Sequence, residues 1–203
     1  MSIEIKISKT RIPYKKAMIF LNKRVEEVKN GDNRELIWVL EHPKTYTAGV
    51  SFRQNEIIDK KIKVIKTNRG GKITLHNPGQ KIIYFVINLN KRKKDIRKLI
   101  NCIETSIIDF LKIMKINATK DKKNIGIWVK EKKIAAIGLR ISRWIAFHGF
   151  SINISNNLNE YLKIIPCGLD NTKITSVFCE KNTVPNNLEE KLINILIKNI
   201  DKI

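Results

Sequence analysis

GIWVKEKKIAAIGLRISRWIAFHGFSINI, residues 126–154, is the stretch that decides the fold. It divides into GIWVK (126–130), KIAAIGLRI (133–141) and RWIAFHGFSINI (143–154), three runs rich in β-branched and aromatic residues with short breaks between them. Runs of that composition and spacing read as successive strands of a meander. Upstream, KIIYFVINL (81–89) and ELIWVLEHP (35–43) read as further strands, the latter buried, and IKVIK (62–66) as a short strand leading into Arg69. Helical spacing takes over elsewhere. Ala17, Met18, Leu21, Val25 and Val28 follow Pro13 and predict a helix over 14–29 that ends near Gly31. Ile96, Leu99, Ile103, Ile107, Phe110 and Met114 lie on one face of a long helix over 93–115. NLNEYLKII (157–165) reads as a helical turn and 187–200 as a last helix. Strands and helices mix without strict βαβ alternation, which predicts an α/β (α+β) chain with a mixed β-sheet flanked by helices. At 203 residues the expectation is one domain, 1–203.

Composition excludes several classes. No apolar run approaches the ~18 residues of a membrane span, and the start, MSIEIKISKTR, lacks the apolar stretch of a secretory signal. Three cysteines without a CxxC argue against a disulfide framework and for a reducing compartment, so the cytoplasm is expected. The net charge of +21 admits two readings: attraction of an acidic partner, or compositional drift in a chain dominated throughout by Lys, Ile and Asn. The lysines are spread, and the one dense run, KRKK at 91–94, falls where a helix begins and reads as a solvated loop. A basic nucleic-acid-binding protein is the rival of another class, but no helix-turn-helix, zinc or RNA-binding signature is present.

RGGKITLHNPGQ (69–80) packs an arginine, paired glycines, a histidine and a Pro-Gly turn into twelve positions. Gly70 and Gly71 let backbone approach a ligand, Arg69 offers a planar fork of donors for a carboxylate, phosphate or carbonyl, and His76 sits just before a rigid turn. Read alone, the stretch is equally a decorated hairpin loop. Cys167, held between Pro166 and Gly168 after an apolar segment, is placed as a nucleophile would be, or is a small hydrophobe at a turn. Cys102 reads as buried packing on the long helix, and Cys179 lies in a polar segment. A thiol near its ordinary pKa of ~8.5 needs a neighbouring base or cation. His42, His76 and His148 are candidates, as is Lys133, which opens an apolar strand backed by Ala135, Ala136 and Gly138.

Together these segments resemble the lipoyl(octanoyl) transferase family, which moves an octanoyl group from acyl carrier protein to protein. The matching blocks, in family order, are LIWVLEHPKTYTAG (36–49), RGGKITLHNPGQ (69–80), GIWVKEKKIAAIGLR (126–140), FHGFSIN (147–153), IIPCGL (164–169) and ITSV (174–177). The resemblance implies a biotin/lipoate protein ligase-like fold. It implies Cys167 as acyl-accepting nucleophile and Lys133 as its partner. It implies an octanoyl pocket lined by Arg69, Gly70, Gly71, Lys72, Ile73, Thr74, Leu75 and His76, with Ala136, Ile137, Gly138, Gly149, Phe150 and Ser151 adding further contacts. The implied donor is octanoyl-acyl carrier protein; the implied acceptors are lipoyl domains of 2-oxoacid dehydrogenases and the glycine cleavage H protein. Neither cofactor, metal, nucleic acid nor membrane is implied. An ATP-dependent lipoate protein ligase on the same fold is the nearest rival, and would need adenylate contacts and no catalytic cysteine. Asn77 departs from the family, where Gly or Ala is common between the histidine and the Pro-Gly; its larger side chain bears on the pocket mouth.

Overall fold

The computed structural model of the chain describes residues 3–31, 34–121, 124–166 and 173–203. In chain order the elements are β1 (Ile3–Ile7), α1 (Tyr14–Asn30), β2 (Glu35–Leu40), β3 (Thr45–Ala48), β4 (Val64–Lys66), β5 (Ile73–His76), β6 (Gln80–Asn88), α2 (Ile96–Ile113), β7 (Thr119–Lys120), β8 (Ile127–Val129), β9 (Lys132–Ser142), β10 (Ile145–Asn153), β11 (Lys173–Ile174), α3 (Val177–Lys181) and α4 (Leu188–Ile200). Short 3-10 turns cover Gln54–Glu56, Leu89–Lys91 and Leu158–Lys163.

The main sheet has the order β1-β2-β6-β10-β9-β8-β7, with β11 also paired to β9. It is mixed: β1 on β2 and β11 on β9 are parallel, and the meander strands and their neighbours are antiparallel. The unbroken apolar runs of β2 and β6 follow from burial on both faces. Ile37 and Val39 join Ile83, Phe85 and Ile87 beneath α2 and α4. Leu36, Trp38 and Leu40 join Ile82, Tyr84 and Val86 beneath α1. The amphipathic face read from α2 is therefore the one that packs, with Leu99, Ile103, Ile107 and Phe110 at 1% exposure or less.

A second, three-stranded sheet, β4-β3-β5, carries its own small core of Tyr46, Ile73, Leu75, Tyr161 and Ile164. It changes the reading of residues 69–80. β5 pairs with β3 in the small sheet, while β6 pairs with β2 and β10 in the large one. The Pro78-Gly79 turn is thus a corner between two sheets and not the tip of a hairpin.

The basic run at 91–94 is also corrected. Asp95 caps α2 by accepting from Lys98 N at 2.9 Å, so the run precedes the helix. Within it Arg92 is not solvated. Its guanidinium grips Glu35 at 2.5 and 2.9 Å, with the two side chains 6% and 4% exposed, and the Glu35 carboxylate also accepts from Asn88 N at 2.6 Å. This pair fastens the approach to α2 onto β2. Arg92→Ala would strand a buried carboxylate, so a loss of about 3–5 kcal/mol is expected in urea unfolding. A loss below 1 kcal/mol, the usual worth of an exposed pair, would return the run to the solvent.

Candidate functional site

A cleft of about 650 Å³ opens where the two sheets meet, within the usual range for small-molecule sites. It gathers Arg69 to Thr74 and His76 from the corner segment, Lys133 and Ala136 to Gly138 from β9, and Gly149 to Ser151 from β10. Every sequence-expected pocket residue in the described chain lines it except Leu75. Alternation along β5 turns that side chain into the small core, fully buried against Tyr46 and Tyr161. Cys167 lies outside the described residues. The chain on either side of that segment is fixed. Ile165 N donates to Glu56 O at 2.8 Å on one side, and on the other Ile174 pairs with Lys133 and Thr175 N donates to Lys133 O at 3.0 Å.

Arg69 serves the protein's own backbone. Its Nη2 donates to Thr47 O, Thr47 Oγ1 and Lys72 O at 2.8–3.0 Å, and its Nη1 to Gly70 O at 3.0 Å. The guanidinium therefore braces the glycine loop against β3. Lys72 is held by the buried Glu56 carboxylate at 3.3 Å. Gly70 N donates to Leu139 O at 3.0 Å, which closes the loop onto β9. Asn77 leaves the mouth clear. Its Nδ2 donates to Asn157 O at 2.8 Å and its Oδ1 accepts from Asn156 Nδ2 at 3.0 Å, so the side chain turns toward that bend.

β10 contributes a backbone irregularity. His148 has φ 66° inside a strand, and Gly149 beside it φ 156°. Even-numbered neighbours Ala146, Phe150 and Ile152 face the α2 side. Strict alternation would send His148 there too. Instead its ring stacks on Phe147 at 5.1 Å and meets Tyr84 at 6.4 Å, both on the α1 side. The left-handed dihedral re-aims the side chain, as a bulge does. Gly149 then pairs with Gly138 across β9 and β10, and a Cβ on Gly149 would run into Ile83 O. This stretch of the cleft wall is bare backbone.

All three histidines meet here with Tyr14 and Tyr84, two residues the sequence reading did not single out. The His42 ring lies 5.3 Å from Tyr14, 5.5 Å from His76 and 5.7 Å from Tyr84. His42 Nδ1 faces a carbonyl, Ile12 O, at 2.6 Å, so it is the protonated nitrogen, and Tyr84 Oη donates to Nε2 at 2.9 Å. The Gln80 amide donates to Asn153 Oδ1, which leaves Gln80 Oε1 to accept from His76 Nδ1 at 2.9 Å. His148 Nε2 pairs with Asn68 Oδ1 at 2.9 Å. Burial lowers the pKa of His42 to about 4, of His76 to about 3 and of His148 to about 4. His42 and then Arg69 add to the effect at His76, and Arg69 and Arg140 at His148. Burial also raises both tyrosines. At neutral pH the three histidines of this wall are in the neutral form, beside the charged guanidinium of Arg69.

Lys133 is 5% exposed, paired across the sheet with Trp128 of β8. Its Nζ donates to Ile125 O at 2.9 Å and lies 5.4 Å from the centroid of the Trp128 ring. Burial raises the Cys102 thiol to about 11 and makes it unreactive; Cys179 is exposed on α3. Among the described residues no group of His, Cys, Asp and Glu could hold a metal ion, and no helix is long and apolar enough to cross a membrane.

The sequence pattern of the lipoyl protein ligase A/B catalytic domain matches residues 13–196. The chain belongs to that family. Curated relatives named octanoyltransferase include those of Wolbachia sp. subsp. Brugia malayi, 42% identical over 86% of this chain and 88% of its own, and of Ehrlichia chaffeensis, 42% identical over 86% and 85%. Among solved structures, a lipoate-protein ligase A bound with ATP superposes with a TM-score of 0.76 at 13% identity, covering 98% of this chain and 86% of that one. Biotin protein ligase from Aquifex aeolicus gives 0.54 at 14% identity, over 98% and 69%. The structural likenesses bear out the expected fold class and carry no chemistry beyond it.

Proposed function

We propose that this protein is an octanoyltransferase that takes the acyl group from octanoyl-acyl carrier protein onto Cys167 and passes it to a lysine ε-amine of a lipoyl domain. The single observation that carries the reading is a buried primary amine, Lys133, set in the wall of a cleft floored by glycine and alanine backbone. Relatives at 42% identity that bear the name octanoyltransferase favour the transferase over an ATP-dependent ligase.

In the first step Lys133 accepts the Cys167 proton and the thiolate attacks the donor thioester. The carbonyl carbon–sulfur bond to the carrier breaks, a new one to Cys167 forms, and Lys133 passes the proton to the departing carrier thiolate, which restores its free amine. One thioester replaces another, so the step is near balance. In the second step the acceptor amine attacks the Cys167 thioester. An amide forms, the thiolate departs, and Lys133 takes the excess proton. An amide is more stable than a thioester, so no nucleotide is consumed. Ile73, Ile82, Ile137 and Phe150 line the cleft, and each buried methylene of the acyl chain is worth roughly 0.8 kcal/mol. The net charge of +21 favours acidic macromolecular partners on both sides of the reaction.

The test is intact-protein mass spectrometry after mixing with octanoyl-acyl carrier protein without ATP. Wild type should gain one octanoyl group that hydroxylamine removes, and Cys167→Ala should gain none. An adduct on the folded alanine variant, or transfer that requires ATP and free octanoate, would overturn the scheme.

A further inference from the structure

The segment just before Lys133 is shaped around that side chain. Gly126 has φ 141°, a backbone conformation that residues with a Cβ rarely adopt. A Cβ placed there would collide with Lys133 Cε and lie 2.8 Å from Ala135 O and 3.0 Å from Lys133 Nζ. Trp128 lies directly opposite Lys133, in register with Val129 and Lys132 beside the turn, and the register between β8 and β9 slips just beyond it, at Ile127/Trp128. Trp128 is in turn steadied by its own Nε1 donating to Asn124 O at 3.2 Å. The Ile125 carbonyl accepts from the amine at 2.9 Å. The amine is thus met by a carbonyl on one side and an aromatic face on another, and glycine supplies the room for the stem. A ring face and a carbonyl oxygen both attract the ammonium more than the neutral amine.

We infer that Gly126 and Trp128 are positioning residues that fix the Lys133 amine in the cleft wall, glycine by leaving the space its stem occupies and the indole by holding the ammonium against its face. The consequence for catalysis rests on the role proposed above for Lys133; the placement does not. If Lys133 accepts the thiol proton, this cradle is where the proton resides until the departing carrier thiolate takes it. Trp128 is not one of the residues lining the cleft, so its removal should act on turnover and not on substrate affinity.

The experiment reads the lysine itself. Trace labelling with acetic anhydride across pH, followed by cleavage after glutamate, yields the peptide 132–160, whose only lysines are Lys132 and Lys133. Lys132 is exposed and serves as the internal reference. In Trp128→Leu the Lys133 amine, freed from the ring face, should label several-fold faster relative to Lys132 than in wild type. Transfer should slow about tenfold in kcat at constant KM, and Trp128→Phe should fall between the two. Gly126→Ala should push the stem from its slot, so that Lys133 labels like exposed Lys132. Superimposable Lys133 profiles in wild type and a folded Trp128→Leu would overturn the inference. Faster Lys133 labelling with unchanged kcat would uphold the placement and instead sink the proton role proposed for Lys133.

Discussion

Lys133→Met should lower kcat for octanoyl transfer by about 10²–10⁴-fold, the range that a positioned acid–base group supplies, while KM for the donor changes little. Methionine keeps the length and packing of the stem and removes the amine, so the loss reports chemistry more than folding. Two deficits combine. A thiol of ordinary pKa ~8.5 is only about a tenth ionised at pH 7.5, and an incoming lysine of pKa ~10.4 is about 99.9% protonated there. With no acceptor for either proton, both half-reactions slow. Lys133→Arg should not rescue, because a guanidinium keeps the charge but cannot take up a proton. The measurement is single-turnover transfer paired with the pH dependence of Cys167 alkylation, whose midpoint should move up toward ~8.5 in the methionine variant. Turnover by Lys133→Met within threefold of wild type would remove Lys133 from the mechanism.

The local setting made that residue a candidate, but only the family resemblance singled it out from the solvated lysines of so basic a chain. A lysine opening an apolar strand, followed by two alanines and a glycine, is legible in KIAAIGLRI. The long strands and helices were legible for the same reason: the apolar runs of β2 and β6 and the 3.6-residue spacing of α1, α2 and α4 fall within single segments. What escaped is non-local. β3 and β5 are four residues each, carry threonines, and exist because they pair with one another across a long loop. β1 is a five-residue edge strand with a charge at every second position, paired only on one side. The Glu35–Arg92 pair joins residues 57 apart, so the run containing Arg92 looked solvated. The direction of the His148 ring depends on a backbone dihedral that no residue pattern encodes. Tyr14 and Tyr84 could have been suspected. Each sits on an element facing a histidine-bearing block, but only the folded registers bring them to His42 and His76.

The histidine cluster should make stability steeply pH-dependent between pH 7 and 5. In the folded chain the three rings titrate near 4, 3 and 4, against about 6.5 when unfolded. Depressed values mean that the unfolded chain binds the protons first. The contribution is therefore fully present above pH 6.5 and is lost as pH falls toward 4. Each ring costs about 2 kcal/mol between pH 7 and 5, or about 6 kcal/mol for the three, comparable to the whole stability of many domains. Ordinary carboxylates titrate below this window, so they do not blur it. The charge of +21 also disfavours the compact state. Urea unfolding should therefore be run at 1 M salt, where the Debye length is about 3 Å. The slope, not the absolute stability, isolates the cause: His76→Gln should remove about a third of it even if the variant is weaker overall. Equal stability at pH 7 and 5 would mean that the rings take up protons as readily in the folded protein as in the unfolded chain, so that the wall of the cleft becomes charged by pH 5. A charged wall would be a poor lining for an acyl chain, so this measurement also bears on what the cleft can hold.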